Sequence, residues 1–193
     1  MTPIRTLSWL VLLVPLLAAC ETQVPGRSFP QISFAHQQPF NLDVASIQVE
    51  NQAAPAPEGA SVVHELPVSV ATVAEQWAHQ RLKAVGSSGT AIVRIEKAAV
   101  VEEKLKKTEG FRGAFTTDQT ERYTGDLAMS VTVNDDRGQG IARASARRVR
   151  TVAEDATLAE REKLWFEMVE HLAREVDSVM DQQIRTYLTS YLR

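Results

Sequence analysis

The amino-acid sequence predicts an α+β fold, with a small, mostly antiparallel sheet and two helices packed on one face of it. Three observations support this fold class. Apolar and polar residues alternate in four stretches, a pattern that is typical of strands with one buried face. In two longer stretches, apolar residues recur at helical spacing. The elements follow one another as strand, helix, strand, strand, strand, helix, an order that favours both helices on one side of the sheet.

The first strand and the first helix are predicted from the region 40–85. Alternation over 40–50 indicates a strand, with a bulge near Ser46 where the pattern slips by one position. An Ala/Pro-rich loop follows. Pro67 then begins a predicted helix that runs to residue 85, because proline is tolerated in a first helical turn. Gly86 follows at the position where a glycine commonly ends a helix.

The next three predicted strands cover 90–107, 121–134 and 141–152. The second of them is the clearest, since apolar residues occupy one face and polar residues the other. A turn rich in Asp and Gly connects it to the third strand, whose alternating alanines leave room for a closely packed helix. The last predicted helix, 157–187, begins with the capping-box sequence Thr-Leu-Ala-Glu and carries one apolar stripe.

The beginning of the chain has the features of an export signal. A short segment with one positive charge, Arg5, precedes an apolar run of about 13 residues, which is shorter than the roughly 20 needed to cross a bilayer. The run ends in Leu17-Ala18-Ala19-Cys20, and Cys20 is the single cysteine of the chain. This ending resembles the lipobox of bacterial lipoproteins, in which a branched apolar residue and two small residues precede an invariant cysteine.

The lipobox resemblance implies a processed and lipidated chain. Residues 1–19 would be a signal peptide that is removed, with Leu17, Ala18 and Ala19 recognised by the signal peptidase. Cys20 would carry a diacylglycerol on its sulfur and an acyl chain, such as palmitate, on its new amino group; no other cofactor is expected. The resemblance places the protein in the bacterial envelope. The glutamate that follows the cysteine favours the periplasmic face of the outer membrane, with the inner membrane as the alternative.

Two regions are expected after the signal peptide. Residues 20–39 are rich in proline and glutamine and have little periodicity, which indicates a lipidated N-terminus and a flexible tether. Phe29, Ile32 and Phe34 leave an alternative open, since these residues could form a first strand or dock on the domain. Residues 40–193 are predicted to form a single α+β domain, and their number suits one domain.

Charge and motifs argue against several classes of function. The chain has 24 acidic and 21 basic residues, whereas nucleic-acid-binding domains are usually clearly basic. Its four histidines do not stand at metal-ligand spacing, and no second cysteine is present. Motifs of serine hydrolases, phosphate loops and dinucleotide sites do not occur. We therefore expect no metal, no nucleic-acid partner and no catalytic residues, and predict that the protein is not an enzyme.

A first candidate contact site lies in the hydrophilic stretch 104–122, which is predicted to be the distal part of a hairpin. Phe111, Arg112 and Phe115 lie near its tip. Aromatic residues beside basic ones could enter a groove of a partner or touch an anionic bilayer. The alternative is that both phenylalanines fold back on the sheet.

A second candidate contact site is a basic stripe on the strand 141–152. It consists of Arg143, Arg147, Arg148 and Arg150. Arg143 and Arg147 alternate with the alanines and are predicted to share the face away from the helices, and exposed arginines on a sheet suit phosphate or carboxylate groups. The alternative is that these arginines pair across strands with acids such as Asp126.

The order of elements after the lipobox is similar to that of small periplasmic lipoproteins that serve lipopolysaccharide assembly or ABC-type lipid transport. This resemblance implies a compact domain of two helices on a small sheet. With the absence of catalytic motifs, it leads us to expect a membrane-anchored accessory or adaptor for an envelope protein complex. The alternative is a carrier that binds a lipid or another amphiphile between helices and sheet, for which a large apolar cavity is needed.

Overall fold

The computed structural model describes residues 28–55, 60–105 and 119–193. The elements in chain order are β1 Phe40–Leu42, β2 Ser46–Asn51, α1 Val70–Arg81, β3 Leu82–Ala84, β4 Thr90–Lys104, β5 Gln119–Asp135, β6 Gly138–Ala153 and α2 Leu158–Tyr187, followed by a 3-10 turn at Thr189–Tyr191. The predicted α+β class is confirmed. The predicted order of strands and helices is also found, with β1 and β3 as two additional short strands.

The main sheet has four strands in the order β2-β4-β5-β6. β4, β5 and β6 are antiparallel neighbours, whereas β2 runs parallel to β4. β1 and β3 form a separate parallel pair of three residues each. The long hairpins and the parallel edge strand together make the sheet mostly antiparallel, as the alternation predicts.

The stretch 40–50, predicted as one strand with a bulge, is two strands in different sheets. The chain turns between them, where the backbone N–H of Asp43 donates to the carbonyl of Tyr191 at 2.8 Å. Leu42, before the turn, also pairs with Leu192 in an isolated bridge. The slip of the pattern near Ser46 therefore marks the beginning of β2 rather than a bulge.

Helix α1 is shorter than the predicted helix 67–85. Ser69 caps it by accepting a hydrogen bond from the N–H of Thr72, and the chain then leaves Arg81 directly into β3. Gly86 is not a helix cap. A Cβ there would lie 2.6 Å from the backbone N of Val44, so this glycine is needed for a close approach of two backbone segments.

Helix α2 begins as predicted. Thr157 and Glu160 form a complete capping box. At 30 residues the helix is about 45 Å long, and the 17 and 16 residues of β5 and β6 give strands of about 50 Å or more. Strands β5 and β6 are therefore at least as long as the helix.

Both helices pack on the same face of the sheet. Met129 of β5 faces a gap that is lined by Trp77 of α1 and Val176 of α2. Close to it, a Cβ on Gly125 would lie 2.9 Å from the side chain of Leu172, so α2 passes close to the backbone of β5. The other face of the sheet, called the outer face here, carries mostly polar side chains.

The segment 28–39, predicted to belong to a flexible tether, packs on the domain from Phe29 onwards. Ile32 and Phe34 are 8% and 3% exposed and belong to the core. Phe29 stacks on Phe166 of α2 at 5.0 Å between ring centroids. The docked alternative is therefore the arrangement found, because three apolar residues within six positions bury enough surface to order the segment.

Candidate functional site

The outer face of the sheet carries a cross-strand charge ladder. Asp126 of β5 accepts hydrogen bonds from Arg147 of β6 at 2.8 and 3.2 Å, and Lys97 of β4 lies 3.0 Å away. Burial acts to raise the pKa of the Asp126 carboxyl, but the hydrogen bonds and charges of Arg147 and Lys97 outweigh it and bring that pKa below its usual value. For Arg147, the cross-strand pairing alternative is therefore the one found.

The other arginines of β6 differ from Arg147 in their contacts. Among the described residues, no carboxylate forms an ion pair with Arg143, Arg148 or Arg150. The Nε of Arg148 is buried without a hydrogen-bond partner, and Arg150 donates to the carbonyl of Val149 at 3.3 Å. With respect to the part of the chain that the structure describes, three guanidinium groups within eight residues thus keep unused hydrogen-bond donors.

The predicted basic stripe is divided between the two faces of β6. Residues directly opposite each other in an antiparallel pair share a face. Arg143 faces Ser130 and Arg147 faces Asp126, both on the outer face, whereas Arg148 faces Gly125 on the helix side. Arg143 and Arg147 share the outer face, as the alternation with the alanines predicts, and Arg148 lies on the opposite face.

Strand β6 also forms one edge of the sheet. It is last in the strand order, and no described strand pairs with its open side. Its pairing with β5 has no register shift from Gly138 to Val152, so the edge is regular. Val149 is 45% exposed on it. Every second residue of such an edge directs its backbone N–H and C=O away from the sheet.

At the opposite edge of the sheet, the long strand β4 is paired with two different segments. β2 pairs with β4 from Thr90 to Ile95. Beyond that point residues 60–62 pair with β4: the N–H of Val62 donates to the carbonyl of Val100, and the N–H of Glu102 donates to the carbonyl of Ala60. The long strand β4 is thus paired along most of its length, and β6 presents the longer open edge.

A buried polar cluster joins α1, α2 and the N-terminal segment. Asp177 of α2 accepts hydrogen bonds from Trp77 at 2.8 Å, from Arg81 at 2.9 Å and from Gln37 at 2.6 Å. Arg81 also donates to the carbonyl of Gln38. These bonds satisfy the carboxylate of Asp177 and connect α1, α2 and the N-terminal segment.

A cavity of about 410 Å³ adjoins this cluster. Residues 31–34 and 36–37 form one wall, and Glu170, Arg174 and Asp177 of α2 form the other. Glu170 and Arg174 pair with each other at 2.5 Å. The cavity therefore separates the docked N-terminal segment from α2 over a short distance.

A second polar cluster lies at the other end of the sheet. The hydroxyl of the buried Tyr123 donates to Glu121 at 2.7 Å, and Glu102 lies 3.4 Å from it. Arg161 of α2 pairs with Glu121 and donates to the Tyr123 oxygen at 3.2 Å. Burial, with the charge of Glu102, raises the pKa of Tyr123 well above its usual value. These contacts fix the beginning of α2 to β5.

Several predicted site residues lie outside the described residues. They are the lipobox residues Leu17, Ala18, Ala19 and Cys20, and the hairpin-tip residues Phe111, Arg112 and Phe115. Within 28–55, 60–105 and 119–193, no group of three or more His, Cys, Asp or Glu residues could hold a metal ion. Over the same ranges, no helix combines the length and apolar character needed to cross a membrane.

Comparison with known proteins gives distant structural likenesses. No family model matches the chain, and no curated protein does. The structure is similar to rare lipoprotein B from Shewanella oneidensis, with 12% identity, coverage of 73% of this chain and 95% of that chain, and a TM-score of 0.38. It is also similar to a PelC dodecamer from Paraburkholderia phytofirmans, with 11% identity, coverage of 72% and 92%, and a TM-score of 0.26. At these identities and TM-scores, neither likeness carries an inference about what this chain binds.

Proposed function

We propose that this protein is a non-enzymatic, lipid-anchored protein of the bacterial envelope, which serves as an accessory or adaptor for an envelope protein complex in assembly or lipid transport. In this proposal Cys20 carries the lipid at the periplasmic face of the outer membrane. The folded body then contacts a protein partner through surfaces of the sheet. The lipobox pattern supports the anchor, and the structure of the interior supports the adaptor.

The filled interior is the observation that carries the choice between adaptor and carrier. The gap between helices and sheet is lined by Phe34, Trp77, Met129 and Val176, among others, and has no room for a water molecule. Pockets that bind drug-sized ligands commonly have volumes of about 300–1,000 Å³. The cavity of about 410 Å³ beside the N-terminal segment reaches this size, but charged residues of α2 (Glu170, Arg174 and Asp177) line it, and it does not lie between helices and sheet. A lipid chain would have to displace core side chains from this position, and the packing therefore favours the adaptor over the carrier.

The anchor is tested by the mass of the mature N-terminus. We expect a protein purified from its native membranes to begin at Cys20 with a diacylglycerol and an acyl chain, and a Cys20→Ala variant to leave the membrane fraction. An intact leader, or a Cys20 without fatty chains, would contradict the anchor.

The adaptor role is tested by recovery of partners from membranes solubilised in a mild detergent. The wild-type protein should bring down the same envelope protein in repeated preparations. The Cys20→Ala variant is the matched control, because it keeps the folded body and loses the location. Recovery of stoichiometric lipid without a protein partner would favour the carrier, and recovery of neither would overturn the adaptor.

A further inference from the structure

We infer that the open edge of β6 is a docking edge for an acidic β-strand of a partner protein. The added strand would extend the sheet next to β6 and bring carboxylates beside Arg143, Arg148 and Arg150. The inference rests on the proposed adaptor function, since it names the surface and the chemistry of the partner. It does not depend on the identity of that partner.

The geometry of β6 suits strand addition. The strand has 16 residues, and its register with β5 is unbroken from Gly138 to Val152. Edge strands in natural proteins are commonly short, bulged or interrupted by proline, which prevents unwanted pairing. β6 is long and has neither a bulge nor a proline, and α2 packs on its helix-side face. Its arginines are themselves a feature that protects edges, but they repel only basic strands, so the backbone donors and acceptors remain in a regular array that an acidic strand can use.

The charges of β6 select an acidic strand. Four arginines lie within the eight residues from Arg143 to Arg150. Of these four, only Arg147 forms an ion pair with a described residue. Arg148 keeps a buried Nε without a hydrogen-bond partner. Carboxylates accept bidentate hydrogen bonds from guanidinium groups. A strand with acidic side chains on both of its faces would meet Arg143 on the outer face and Arg148 and Arg150 on the helix side.

A second copy of this chain does not fit the same edge. Pairing of β6 with its own copy would bring the arginines of both copies together, and like charges on paired strands are destabilising. The arginines thus disfavour self-pairing while leaving the edge open to a strand of opposite charge.

An anionic lipid surface would meet only part of these features. Headgroups could neutralise the arginines, but they would not form the alternating backbone hydrogen bonds of a sheet. Protection of backbone amides along β6 is therefore the observation that distinguishes a strand from a membrane.

The test uses the purified protein and defined probes. One probe is the eight-residue peptide Glu-Glu-Val-Val-Glu-Glu-Val-Val, which carries Glu on both faces when it is extended, and its control is the same peptide with Lys in place of Glu. Vesicles of phosphatidylglycerol and of phosphatidylcholine are the lipid probes. We expect the acidic peptide to slow hydrogen exchange at every second amide of β6, and the Lys peptide to have no effect. Equal binding of both peptides, or protection by phosphatidylglycerol vesicles alone, would overturn the inference.

Charge-reversal variants give the matched control. Arg143→Glu with Arg150→Glu changes two exposed side chains of β6, and we expect at least about tenfold weaker binding of the acidic peptide, since attraction becomes repulsion. The same double variant should bind the Lys peptide. Lys83→Glu with Lys163→Glu makes an equal change of charge at exposed positions away from β6 and should leave binding unchanged. Equal loss in both variants would indicate a general charge effect and contradict a site on β6.

Crosslinking in intact cells separates this inference from the proposed function. A photo-crosslinker is placed at Ser145 on β6 and, in a second variant, at Lys83 on β3. Capture of an acidic strand from Ser145 supports both ideas. Capture of a partner from Lys83 alone would be consistent with the adaptor function but would overturn the docking edge on β6. Capture from neither position, with no partner in the solubilised membranes, would overturn the adaptor itself.

Discussion

At the scale of single residues, the ion pair of Arg81 and Asp177 connects the two helices with the N-terminal segment. The two residues are 2% and 6% exposed, and each lies among the buried residues of its own helix. A lone charge at such a position would be costly. A positive residue on one apolar stripe and a negative residue on the other are therefore a signal, readable in the sequence, for a contact between helices.

Removal of one partner from this pair should destabilise the fold strongly. Asp177→Ala would leave Arg81 buried without its main carboxylate, and would also remove the acceptor for Trp77. We expect a loss of about 3–5 kcal/mol in the free energy of unfolding, measured in urea. The control is Asp181→Ala, which removes a partly exposed partner of the same arginine and should cost about 1 kcal/mol or less. Equal losses in both variants would contradict the special role of Asp177.

The acid limb of stability should depend on Asp126. Its pKa in the folded state lies below the usual value, so the unfolded chain binds a proton more readily. The stabilisation is therefore present above the unfolded pKa of about 4 and is lost as the pH falls through the folded value. We expect the free energy of unfolding of wild type to fall more steeply below about pH 4 than that of Asp126→Asn. Parallel curves for the two proteins would show that the pairing with Arg147 contributes nothing.

At the scale of elements, the length of a strand or helix determines whether it can be predicted from the sequence. The long strands β4, β5 and β6 and the helix α2 repeat their pattern many times, so their position and buried face can be predicted. β1 and β3 have three residues each and pair with each other across about forty residues of chain. Three residues carry no period, and their structure is fixed by tertiary contacts. The end of α1 at Arg81 could not be predicted for the same reason.

The candidate site could likewise be predicted only in part, because local patterns reveal its residues but not its position in the sheet. Alternation identifies the arginines of β6 and their two faces, but not the strand that lies at the edge of the sheet. That property depends on the order of pairing, which places β2 next to β4 and leaves β6 outermost. Residues such as Gln37, whose contacts are distant in sequence, leave no local signal at all.

Two glycines make a matched test of how the elements approach each other. Gly86→Ala would bring a Cβ to 2.6 Å from backbone atoms of Asp43 and Val44, which cannot move without disturbing β1 and β2. Gly125→Ala would instead meet the flexible ends of Leu172 and Met168. We expect losses of about 3 kcal/mol for Gly86→Ala and about 1 kcal/mol for Gly125→Ala in urea unfolding. The reverse order would contradict this account of Gly86.

At the scale of the whole molecule, the docked N-terminal segment shortens the part of the chain that could connect the folded body to a lipid on Cys20. With packing from Phe29 onwards, the chain from Cys20 to Phe29 can span at most about 30 Å when fully extended. A tether of 20–39 would reach about twice as far. If Cys20 is the anchor, the body therefore lies close to the membrane surface, and a partner must be reachable at that height.

This arrangement predicts that a chain of residues 40–193 is an incomplete domain. Without the N-terminal segment it would expose the apolar surface that Ile32 and Phe34 cover, each worth about 1.5–3 kcal/mol, and Asp177 would lose the hydrogen bond from Gln37. We expect its free energy of unfolding to be lower by about 3 kcal/mol or more than that of a chain of residues 28–193, which is the matched control. Hydrogen exchange should also quicken at Trp77 and Phe166, the residues beneath the segment. Equal stability of the two chains would mean that the segment contributes nothing to the fold, and the longer tether would then describe the molecule better.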